Sequence, residues 1–228
     1  MSDDERDGRV ALPEIRELLF ADLAPGRLVE VLTSSTDGDT GPGGARTAAL
    51  IAAATAAARG DRMATMGAVT PFLEDPETRI RLQAWRIARA VGYDPPVATA
   101  ARAHGVVVEM GLDDGVDSIA AYEDGTARYL NHGGAAIVWE AQEPEVNARI
   151  EAMLHAARIV AEQTGPADGT PARPPGPGVA SIAVLTDGGV HLGMGPADVF
   201  WRNPIAGPQL ATALDLMRTL VDRAGSTA

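Results

Sequence analysis

Val106-Val107-Val108-Glu109-Met110, Ser118-Ile119-Ala120-Ala121-Tyr122 and Thr126-Ala127-Arg128-Tyr129-Leu130 decide the fold. Each run is short and rich in β-branched or small apolar residues. The second and third are separated only by Glu123-Asp124-Gly125, and Asp-Gly between such runs is a strong hairpin signal. Ala135 to Trp139 reads as a fourth strand, reached through the bend Asn131-His132-Gly133-Gly134. An amphipathic helix then begins near Pro144, with Val146, Ile150, Met153, Leu154 and Ala157 on one stripe. Thr164 to Gly178 is dominated by proline and glycine and is expected to be a mobile loop. Ser181 to Leu185 and Val190 to Met194 form a second hairpin around Thr186-Asp187-Gly188-Gly189. Leu210, Leu214, Met217 and Val221 mark a C-terminal amphipathic helix.

Before these strands the pattern is helical. Ile15, Leu18, Leu19 and Leu23 recur at helical spacing, Ala45 to Arg59 stops at Gly60, and Arg62 to Leu73 forms a third helix. Ile80, Ala84, Ile87, Ala88 and Val91 share one face of a fourth, which ends at Gly92. The expectation is an α+β protein, with a helical region over residues 1–102 and an α+β module over 103–228. The module's mainly antiparallel sheet is covered by the Pro144 and Leu210 helices. In outline the order strand meander, helix, hairpin, helix resembles the roadblock or profilin-like class of small α+β modules, a likeness of topology that assigns no function.

Composition narrows the function classes. All 19 basic residues are arginines and cysteine is absent, which excludes thiol nucleophiles, disulfides, thiolate metal sites and lysine Schiff bases. Aromatic residues make up only 4% and the formal net charge is -12, so stacking platforms for nucleic acid are scarce and a phosphate backbone is repelled. Nucleic acid is therefore not an expected partner, and neither is a membrane. The start, Met1-Ser2-Asp3-Asp4-Glu5-Arg6-Asp7, is acidic where a secretory signal would be basic and then apolar, so a cytoplasmic location is expected. The arginine- and alanine-rich usage suggests a GC-rich bacterial genome.

Few residues are arranged for chemistry. In the loop Ser34 to Gly44, the core Asp37-Gly38-Asp39-Thr40-Gly41 is similar to the metal-binding aspartate loop of dihydroxyacetone-kinase-type phosphotransferases. That resemblance covers five residues and implies that Asp37 and Asp39 hold a hard divalent cation against phosphate oxygens. The strand-rich second half departs from that all-helical family. The same glycines and the helix beginning at Ala45 would also suit an anion, with Arg46 assisting. His132 and His191 are polar-site candidates, each within reach of Asp113, Asp114 or Asp187 if the fold brings them together. Glu109 and Arg128 are a possible cross-strand pair facing solvent. Phe200, Trp201 and Arg202 concentrate interface-type side chains before the last helix, and Trp139 ends a strand.

These residues predict a protein-interaction or scaffold subunit that self-associates or docks a protein partner, with no catalysis and no cofactor. The alternative is a metal- or phosphate-dependent enzyme using Asp37 and Asp39, or His132. A small-ligand-binding module is the third class.

Overall fold

The computed structural model describes residues 12–34, 42–167 and 173–226. Helix α1 (Leu12–Leu19) is followed by α2 (Pro25–Ser34), α3 (Pro42–Ala58) and α4 (Arg62–Val69), with a 3-10 turn over Thr70–Phe72. Next come α5 (Thr78–Ala90) and the single turn α6 (Val97–Ala100). The strands are β1 (Ala103–Leu112), β2 (Gly115–Tyr122), β3 (Ala127–Leu130) and β4 (Ala136–Trp139). Helix α7 (Pro144–Gln163), strands β5 (Val179–Thr186) and β6 (Gly189–Pro196), and helices α8 (Ala197–Arg202) and α9 (Ala206–Ser226) complete the chain.

Local chemistry sets several boundaries. Asp61 caps α4 by accepting the Ala64 N–H at 3.0 Å, just after Gly60 ends α3 at a φ of 73°. Ala21 adopts φ 47°, a left-handed conformation that costs a non-glycine residue energy. The chain therefore turns after α1, and Leu23, expected on the same helical face, lies beyond it. The Gln83 side chain holds the turned backbone, accepting from Leu23 N–H at 3.0 Å and donating to the Leu23 carbonyl at 2.8 Å.

The six strands form one antiparallel sheet in the order β4-β3-β2-β1-β5-β6. The α+β class expected from the sequence is what the chain adopts, with helices preceding the sheet. Val106, Val108, Ile119, Tyr129, Ile182 and Val184 face α7 and α9, where Ile150, Met153, Leu210 and Leu216 complete a core. Val107, Ala120, Tyr122, Ala183 and Leu185 face the opposite way and pack against Leu19, Phe20 and Leu82 of the N-terminal region. A third cluster, around Leu28, Val31, Ala53, Val69 and Ile87, lies within the N-terminal helices. Covering by the Pro144 and Leu210 helices accounts for one face only, and helices from the first part of the chain cover the other. Burial on both faces explains why β1 reads as a continuous apolar run instead of alternating.

One expectation is overturned outright. Glu109 does not meet Arg128 at the surface; it is fully buried between β1 and α1. Its Oε1 accepts from Arg16 Nε at 2.7 Å and Ser118 Oγ at 3.0 Å, and its Oε2 from Arg16 Nη2 at 2.7 Å and Ser181 Oγ at 3.2 Å. Arg128 lies two strands away and pairs with Glu140 at 2.6 Å. Burying an ion pair is tolerable only when the remaining lone pairs are also satisfied, and the two serines do this.

The described ends of the Thr164–Gly178 segment are tied to the sheet. Ala167 N–H donates to the Val190 carbonyl at 2.7 Å, Gly178 N–H to the Gly111 carbonyl at 3.0 Å, and Pro175 is buried.

Candidate functional site

Beneath α8 the sheet is left partly open. Val108 and Met110 of β1, Asp117 and Ile119 of β2, and Tyr129 of β3 form the floor of a cleft of about 150 Å³. Leu210, Leu214 and Met217 of α9 form its wall, and Trp201 stands at its rim. The register explains the polar end. Asp117 lies just before the buried part of β2, opposite Met110, and Tyr129 opposes Ile119 on the same face.

Three donors converge on Asp117. Tyr129 Oη donates to Oδ2 at 3.0 Å, and the backbone N–H of His132 donates to Oδ1 at 2.8 Å. His132 Nδ1 lies 2.9 Å from the same Oδ1. Burial, reinforced by the hydrogen bond to Asp117, pushes the Tyr129 hydroxyl up to about 12. The Asp117 hydrogen bond likewise raises the His132 imidazole above its ordinary value. Arranged this way, the cleft is apolar along its length and has one carboxyl group, that of Asp117, at one end.

Of the sequence candidates, Trp201 lines the cleft and His132 orients its carboxylate. Phe200 is half-buried and packs against the sheet core, with its ring close to Gly195. Arg202 points to solvent and pairs with Asp198 at 3.0 Å. Trp139 packs half-buried on the same core, with its indole nitrogen buried. His191 lies in β6, separated from β3 by three strands, so it shares no site with His132. Its Nδ1 is 3.1 Å from the Thr164 hydroxyl, and burial lowers its imidazole below the ordinary value. Asp37 and Asp39 lie outside the described residues, and Arg46 is engaged by Asp75 at 2.6 Å. Among the described residues no group of three or more histidine and carboxylate side chains is placed to hold a metal ion.

A second polar cluster was not singled out from the sequence. His104, buried in β1, sits between two hairpin-turn acids: Nδ1 is 2.6 Å from Glu123 and Nε2 is 3.1 Å from Asp187. Arg81 reaches Glu123 at 2.8 Å and Arg102 reaches it at 2.5 Å. Both acids come from Asp-Gly-type turns, so the turn signals were present, but they did not announce a common partner. The imidazole is closed to solvent, which makes this a clamp between turns and α5 instead of a site for substrate.

Burial alone would raise the Glu123 carboxyl. The hydrogen bonds from His104, Arg102 and Arg81 outweigh it and hold the group at about 2, against an ordinary 4.5. A carboxyl depressed in the folded state stabilises above the unfolded value and loses that contribution as pH falls through the folded one. Glu123→Gln is therefore expected to lower the melting temperature relative to wild type above pH 4.5, with the difference closing as pH approaches 2. A constant difference across that range would show that the carboxylate charge contributes nothing.

Comparison with protein-family models, with curated proteins and with solved structures finds no match.

Proposed function

We propose that this chain is a protein-interaction module whose cleft beneath Trp201 takes an apolar side chain flanked by a basic residue on a partner protein. The observation that carries the reading is the cleft itself, an apolar slot with one carboxylate at its end, beside a tryptophan that is 42% exposed. Val199, on α8 with Trp201, is exposed as well. Tryptophan at a pocket rim is a frequent energetic anchor. Asp117 and the chain's net charge of -12 favour a cationic partner segment over an acidic one. Among the described residues no helix is long and apolar enough to cross a membrane.

Panning a random peptide library on the wild-type protein tests this. Enrichment is expected for peptides with arginine or lysine next to leucine, methionine or phenylalanine. Trp201→Ala should lose them while losing well under the ~3–5 kcal/mol of stability that a fully buried aromatic contributes. Asp117→Asn should keep the apolar preference and relax the basic one. Failure to enrich such peptides, or equal retention by both variants, would overturn the reading.

A further inference from the structure

The two edges of the sheet are treated differently. At β6 the Val190 carbonyl accepts a hydrogen bond from Ala167, the strand ends in Pro196, and Phe200 of α8 folds back over Gly195. These are the usual ways of blunting an edge. Strand β4, Ala136-Ile137-Val138-Trp139, has none of them: it carries no charge and no proline, and Val138 is 61% exposed. Among the described residues no backbone group bonds its outer side.

The ladder fixes which groups point outward. Tyr122 N–H donates to the Thr126 carbonyl at 3.0 Å, and Asn131 N–H to the Ala135 carbonyl at 2.9 Å. Alternation along the antiparallel pairs then directs the backbone of Ile137 and Trp139 toward β3 and that of Ala136 and Val138 away from it. We propose that β4 pairs antiparallel with β4 of a second copy of this chain, about a two-fold axis through Val138.

In that register Val138 opposes its own counterpart, and the outward N–H and C=O of each satisfy the other. Ile137 opposes Trp139 across the axis, on the face that packs against the sheet core, so the pairing extends an apolar surface. Ala136 opposes Glu140, which is held by Arg128 at 2.6 Å, so no like charges face each other. The strand is thus complementary to itself, as a two-fold interface requires. Two copies each carrying a net charge of -12 repel at longer range, and salt weakens that repulsion.

Sedimentation velocity over a concentration series, at low and high salt, reads the association. The wild type is expected to move from monomer toward dimer with concentration, and further at high salt. Val138→Lys should stay monomeric throughout while melting as the wild type does, because the side chain is exposed. The chain has no cysteine, so a single introduced thiol is an unambiguous reporter. Directly opposed hydrogen-bonded residues lie ~5.5 Å apart at Cα, within disulfide range. Val138→Cys should therefore cross-link on mild oxidation, and Val97→Cys, on the exposed α6 turn, should not. A wild type that stays monomeric, a dimer that survives Val138→Lys, or equal cross-linking of the two cysteine variants would overturn the proposal. A dimer surviving Val138→Lys would also locate self-association away from β4.

Discussion

Glu109→Ala is expected to destabilise the protein by about 3–5 kcal/mol, because it leaves the Arg16 guanidinium buried without its carboxylate. The same change strips Ser118 and Ser181 of their acceptor. Against a total stability of ~5–15 kcal/mol the loss is severe, and urea unfolding measures it directly. The double variant Arg16→Met/Glu109→Leu is expected to recover most of it, since apolar side chains of similar volume need no partner. If Glu109→Ala alone unfolds at the wild-type urea concentration, α1 is not docked through this pair.

Gly111→Ala is the second large effect. A Cβ at Gly111 would stand 2.0 Å from the Gly176 carbonyl oxygen and 2.7 Å from that of Pro175, both backbone atoms that cannot rotate aside. The segment must therefore lift off β1 or β1 must shift, and overpacking of this kind costs ~1–3 kcal/mol. Hydrogen exchange separates strain from detachment: the Gly178 amide, bonded to the Gly111 carbonyl, should lose protection before the rest of β5. Wild-type melting and unchanged protection would mean that residues 175–176 yield at no cost.

The strands were legible because their signals are local. Asp124-Gly125 places a left-handed glycine, φ 80°, where the hairpin needs it, and the apolar runs on either side have the length of a strand. Helices α7 and α9 declared themselves through periodic apolar faces for the same reason. Helix α2 and the short α8 were not anticipated, and the positive φ of Ala21 carries no sequence mark in an alanine-rich chain. Long-range pairing was hidden altogether. Nothing near Glu109 announces Arg16, and nothing in Asp117 announces that Tyr129 and His132 will meet it, since strand register decides both. Trp201 stood out because aromatics are scarce, but the cleft beside it exists only once β1 to β3 lie under α9.

The ion pair that joins α1 to β1 links residues 93 positions apart, which has a consequence for synthesis. At ~5–20 residues per second, Arg16 waits roughly 5–20 s after translation before its carboxylate partner is made. During that interval the N-terminal helices can assemble their own core around Leu28, Ala53 and Ile87, but Leu19 and Phe20 have no sheet to cover them. The nascent chain thus carries an exposed apolar flank until β1 leaves the ribosome, and this is the stretch of its life in which a chaperone that binds such surfaces has most to recognise.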